Sequence, residues 1–174
     1  MNEMATKIAD GLERAFAMQG FAAPSVEDLR DAAGVSLRTL YKYAPSRDLM
    51  IRMALEHRHQ RYLGHVFGDQ NRSSGQSLDE TLDRVANWMQ TEASHGCLFH
   101  AAVASAPDDQ KLRQLLEAHK SEVSQRAAVS AGCDISPNDV MVIIEGLTQA
   151  WSLSQDAALT SAKRLARLAE AQSA

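Results

Sequence analysis

Residues 25–49 read SVEDLRDAAGVSLRTLYKYAPSRDL, two short helical patterns separated by Gly34. Ser25 is placed to cap the first pattern, and Asp28, three residues on, answers the free amides of its first turn. Val26, Leu29 and Ala33 then recur on one side of a helix. Gly34 ends that helix, and Val35 turns inward as an apolar peg at the corner. Ser36 caps the second helix, which runs to about Tyr43 because the residue before Pro45 is pushed out of helical geometry. Leu37, Leu40 and Tyr41 are expected to face inward, which leaves Arg38, Thr39 and Lys42 open. Two helices joined by a tight corner, the second with a basic outer face, match a helix-turn-helix that inserts its second helix into a DNA major groove.

The chemistry follows from the open side chains. Arg38 and Lys42 can reach guanine O6 and N7 or phosphate, and Thr39 can donate to phosphate or touch a thymine methyl. Ser36 at the helix start, the Tyr43 hydroxyl at its end and Arg47 in the next helix's first turn are suited to phosphate. The chain as a whole is acidic, with a net charge of -4 over 174 residues. Local charge decides a nucleic-acid partner, and from Ser36 to Arg61 six Arg and Lys residues stand against only Asp48 and Glu56. The bland alternative for this cluster is a solvated helical face, but the corner and the residue register both favour groove reading.

Outward from this stretch every pattern is helical. Ala5, Ile8, Leu12, Ala15 and Phe16 make an apolar stripe over residues 3–19, ended by Gly20. Ser46 caps a longer helix to about Phe67, closed by Gly68 and carrying Leu49, Met50, Met53 and Leu63. Its His57, His59 and His65 are spaced by two and six, which does not make a metal site. Ser77 and Glu80 form a capping-box pattern for a helix to about Ala93. CLFHAAVASA at 97–106 is short and apolar, and Pro107 is expected to open a long helix that Gly132 stops. Ser136 and Pro137 start another helix, whose run Val140 to Ile144 cannot all point one way, so more than one surface must cover it. A last helix is expected from about Asp156 to Ala171.

Few glycines, four prolines, abundant alanine and leucine and scarce aromatics fit an all-α fold. Cys97 and Cys133 give neither a disulfide framework nor a metal motif. With no secretion signal and no apolar run of transmembrane length, a cytoplasmic location is the expectation. No cofactor is implied.

In order and residues the chain resembles the TetR family of transcriptional regulators. The resemblance is carried by AFAMQGF, SVEDLRDAAGVS, TLYKY and PSRDL between Ile8 and Leu49, and more weakly by GCLF at 96–99. It implies a three-helix DNA-binding head over residues 1–45, followed over 46–174 by a connecting helix and an all-helical ligand-binding and dimerisation body. It further implies a homodimer, formed through the last two helices, on a palindromic double-stranded operator, with release of DNA by a small-molecule effector. On this resemblance Thr39, Tyr43 and Arg47 are DNA-contacting positions, Leu40 and Tyr41 are structural, and Lys42 varies with operator. Two residues depart from the family pattern. Arg38 replaces a small residue, and Ala44 replaces an aromatic ring.

Candidate lining residues for an effector site are Trp88, Met89, Cys97, Phe99, His100, His119, Met141 and Trp151. Large apolar and polarisable groups enclose organic ligands, and histidine adds polarity. Each is also an ordinary core residue by type. Two alternatives stay open: an effector-independent dimeric DNA-binding protein, and a redox sensor built on Cys97. Cys97 and His100 lie one helical turn apart but lack an orienting acid and an oxyanion arrangement, so no enzyme is expected.

Overall fold

The computed structural model describes residues 2–68, 76–93, 96–132 and 134–172. These residues form eight helices: α1 (Glu3–Gln19), α2 (Val26–Ala33), α3 (Leu37–Tyr43), α4 (Arg47–Phe67), α5 (Leu78–Thr91), α6 (Leu98–Ser105), α7 (Gln110–Ala131) and α8 (Pro137–Gln172). None of the described helices is long and apolar enough to cross a membrane. The chain packs as two units, Met1–Arg61 with Leu98–Leu116, and Tyr62–Cys97 with Glu117–Ala174. Cys133 and most of the polar 68–77 segment lie outside the described residues.

In the first unit the predicted caps are present. Ser25 and Asp28 form a full capping box, as do Ser77 and Glu80 in the second unit. Hydrogen bonds from the Ser25 side chain, then from its backbone amide, hold the Asp28 carboxyl below the usual carboxylate range. That small stabilising contribution is therefore present above the unfolded value of 3.8 and is lost as pH falls through the lower folded value. Gly34 sits at φ 62°, ψ 42°, the left-handed region that a helix C-terminus needs and glycine adopts freely. The carbonyls left at that end are met from α1: Lys7 donates to Gly34 O at 3.0 Å and Arg14 to Ala32 O at 3.3 Å.

Ile8, Leu12, Phe16, Leu29 and Leu40 are fully buried, and the rings of Phe16 and Phe21 stack with centroids 5.0 Å apart. Two residues of α1 that the apolar stripe passes over prove decisive for packing. Gly11 lies where α1 and α2 touch, and a Cβ there would stand 2.3 Å from Ala32 O. Glu13 is 1% exposed and is bonded by His57 at 2.8 Å, Arg58 at 2.9 Å and Arg61 at 2.7 Å, all from α4. His57 thus goes to a carboxylate, and among the described residues no group of His, Cys, Asp and Glu is placed to hold a metal.

The second unit has one apolar core drawn from α4, α5, α7 and α8, including Leu78, Leu82, Val85, Val123, Val140 and Ile144. Its α8 is two helical segments merged across Gln155, whose φ 34°, ψ -108° breaks the helix where the predicted boundary falls. Lys163 with Asp83 at 2.6 Å and Arg167 with Asp79 at 2.5 Å tie the later segment to α5. Pro107 does not open α7, contrary to the sequence expectation. Asp109 instead accepts from the amides of Lys111 and Leu112 at 2.8 and 3.2 Å, and the helix starts three residues later.

Candidate nucleic-acid interface and body site

Helix α3 is seven residues long and is capped by Ser36, whose hydroxyl accepts from Thr39 N at 3.1 Å. The Ser36 and Thr39 hydroxyls also share a hydrogen bond at 2.9 Å, so both side chains are engaged within the helix's first turn. Leu40 and Ala44 are fully buried, one turn apart, and they anchor α3 to the head. That anchor sets the rotation of α3. Tyr41, expected to face inward, is 45% exposed. It follows Leu40 by about 100° of helical rotation, which puts it on the exposed flank of the helix, off the buried line of Leu40 and Ala44.

The open face of α3 is therefore Arg38, Tyr41 and Lys42, at helical spacings of three and four. Thr39 and Tyr43 flank it, half-buried, and the Lys42 ammonium lies 5.9 Å from the Tyr43 ring centroid. Two cations and a phenol on one exposed stripe supply charge for phosphate and donors for base edges. Tyr41 is the member sequence reasoning missed; its signal was the three-residue spacing from Arg38.

Arg47 opens α4, in the first turn where the sequence reading expects it. It is half-buried, and its guanidinium donates to Phe21 O at 2.6 Å and Pro24 O at 2.9 Å, backbone groups of the head itself.

In the second unit the residues sequence reasoning listed are only partly brought together. His119 and Met141 line a cavity with Tyr62, Lys120, Val123, Ser124, Ile144 and Glu145. Tyr62 is buried and meets the edges of Trp88 and His119, with centroids 5.3 and 5.2 Å apart. Burial pushes the Tyr62 phenol pKa up, and the neighbouring Cys97 and Glu145 push it further, so it stays a neutral donor. Lys120 pairs with Glu145 at 2.6 Å and donates to Cys97 Sγ at 3.5 Å. Met89 and Trp151 belong to the apolar core, and Phe99 and His100 lie on α6 in the other unit. The cavity measures about 10 Å³, room for about one water. Tyr62, Lys120 and Glu145 come from three separate helices, and no spacing in the sequence links them.

Residues 8–52 match the family model of bacterial regulatory proteins, tetR family. The whole chain shares its fold with solved structures at low identity. A TetR-family transcriptional regulator from Streptomyces coelicolor superposes with a TM-score of 0.72 at 17% identity, over 97% of this chain and 96% of that one. Salmonella enterica GusR gives 0.70 at 17% identity, over 99% and 98%. A second Streptomyces coelicolor TetR-family member gives 0.72 at 16%, over 94% and 98%. No curated protein sequence matches the chain. The stretch from α1 to the start of α4 thus matches the tetR family of bacterial regulatory proteins, and the chain shares its fold along nearly its whole length with regulators of that family.

Proposed function

We propose that the chain is a homodimeric repressor that reads a palindromic operator with α3 and leaves it when a small molecule occupies the body. Residues 1–45 act as the reading head, and 46–174 as the connecting helix and the ligand-binding and dimerisation body. The observation that carries this reading is the exposed stripe Arg38, Tyr41 and Lys42 on a short capped helix whose other side is locked by Leu40 and Ala44. Arg38 and Lys42 meet base edges or phosphate, and Thr39 and Tyr43 serve the flanks, with Ser36 holding the helix start. Selecting bound fragments from the source genome with purified protein tests the reading. A shared inverted repeat is expected, with half-sites near one helical turn apart or a related separation. Recovery of unrelated fragments in proportion to their abundance would overturn it.

Replacing Lys42 with alanine is expected to weaken operator binding by about 1–3 kcal/mol per half-site and to leave the dimer folded. Fluorescence anisotropy at fixed salt checks this, and unchanged affinity removes Lys42 from the interface.

Support for a twofold partner comes from α8. Val142 is 71% and Leu153 88% exposed, and with Gly146 between them they share one side of the helix. Leu165 and Leu168, past Gln155, are exposed as well. Two such segments per subunit suit a four-helix interface. A Cβ at Gly146 would meet nothing within 4 Å, so a larger side chain costs the protomer no packing. Gly146→Arg is therefore expected to keep the fold, convert dimer to monomer in sedimentation, and lower operator affinity roughly 100-fold by loss of bivalency. A Gly146→Arg protein that stays dimeric excludes this face.

For the effector, the support is the polar group formed by Tyr62, His119, Lys120 and Glu145 around a central space. An effector lowers DNA affinity only by binding the weakly reading state more tightly. A second reading is a dimeric DNA-binding protein without an effector. A thermal-shift screen of small metabolites, followed by operator release, separates the two. Stabilisation together with release supports the repressor, and neither effect across a broad library supports the second reading.

A further inference from the structure

We propose that Arg47 is a positioning residue that staples the helix-turn-helix shut, and that it makes no phosphate contact. The inference rests on the groove-reading role of α3. Arg47 is the first residue of α4, and its two terminal nitrogens reach Phe21 O at 2.6 Å and Pro24 O at 2.9 Å. Pro24 stands just ahead of Ser25, the cap of α2. Arg47 follows α3 after the short link Ala44 to Ser46. The two ends of the α2–α3 unit are therefore joined directly, across 23 residues of sequence.

Three observations hold Arg47 on the head's own backbone. Two carbonyls three residues apart need two donors held in one rigid fork, which arginine has and the single nitrogen of lysine lacks. The Arg47 guanidinium also lies 5.9 Å from the centroid of the Phe16 ring, which stacks on Phe21 and so backs the same loop. Moving it to a DNA phosphate would strip both half-buried carbonyls of a partner. The staple also answers a departure at Ala44. This residue is fully buried but offers only a methyl group to the α3–α4 corner, and Arg47 holds that corner from the α4 side.

The two roles separate on charge and geometry. Arg47→Lys keeps the charge and loses the fork, whereas Arg47→Ala loses both. Each full-length protein is titrated by anisotropy against an operator fragment selected from genomic DNA and against a scrambled duplex of equal length, between roughly 50 and 200 mM salt. A staple predicts that both variants lose operator preference over the scrambled duplex by roughly tenfold, the effect of about one mismatched base pair, with the wild-type salt slope kept. A phosphate contact predicts a near-normal Arg47→Lys and, for Arg47→Ala, a slope reduced by about 0.9 per half-site; that outcome overturns the proposal. If Arg47→Ala does not fold, Arg47→Lys decides.

Amide exchange in the DNA-free protein gives a second readout. Faster exchange at Ala22, Ala23, Ser25 and Val26 in Arg47→Lys supports the staple, and unchanged exchange there overturns it. If wild-type protein selects no operator, the groove-reading role fails on its own, and exchange alone judges the staple.

Discussion

Glu13→Ala is expected to destabilise the head by about 3–5 kcal/mol, the usual cost of removing one partner from a buried ion network. The Glu13 carboxylate is the common acceptor for His57, Arg58 and Arg61, and Arg58 is itself only 5% exposed. Deleting the carboxylate takes the shared acceptor away from the buried Arg58 guanidinium and from Arg61. Water must then enter, or α1 must part from α4. Either change alters the platform on which α2 and α3 are mounted, so operator affinity falls with stability although Glu13 touches no DNA. Glu13→Gln keeps the shape and an acceptor oxygen and is expected to lose less. Urea unfolding followed by far-UV circular dichroism checks both; a midpoint for Glu13→Ala equal to that of the wild type would show that the network contributes nothing net.

Gly11→Ala is the second large effect, and its sign runs against helix propensity. In an exposed helix interior, alanine is better than glycine by about 1 kcal/mol. At Gly11 the added methyl would lie 2.3 Å from Ala32 O and 2.4 Å from Ala33 Cα, both backbone atoms of a neighbouring helix with no side chain to swing aside. Ordinary contact needs more than an ångström of additional separation, so α2 must move off α1 and carry α3 with it. Overpacking of this kind costs about 1–3 kcal/mol or more, which outweighs the propensity gain. A lowered melting temperature and weakened operator binding are expected together. A Gly11→Ala protein as stable as wild type, with intact binding, would mean that the two helices do not cross this closely.

Both effects arise at residues the apolar stripe of the first helix does not mark. Glu13 follows Leu12 and reads as a solvated acid until Arg58 and Arg61 arrive from more than forty residues away. Gly11 reads as a weak point in a helix until the α2 backbone is laid against it. By contrast, the capping boxes at Ser25 and Ser77, the left-handed Gly34 and the break at Gln155 were legible, because each is decided within a few residues of chain. The site divides in the same way. Arg38 and Lys42 were legible as an outward pair, while Tyr41 was misplaced because a seven-residue helix does not fix its own rotation. Leu40 and Ala44, sunk into the head, do that.

By itself, then, the sequence determined the all-helical fold, most of the helix ends and a short capped helix with Arg38 and Lys42 on its outer face. Those depend on short-range backbone hydrogen bonding and on apolar spacing. Only the tertiary structure decided that Tyr41 joins that face, that Arg47 is turned onto the head's own backbone, and that Tyr62, Lys120 and Glu145 share one small cavity. The physical reason is the range of the forces involved. Caps and turns are satisfied by neighbours along the chain, whereas buried charges, close backbone crossings and polar clusters are satisfied by partners that only packing brings within reach.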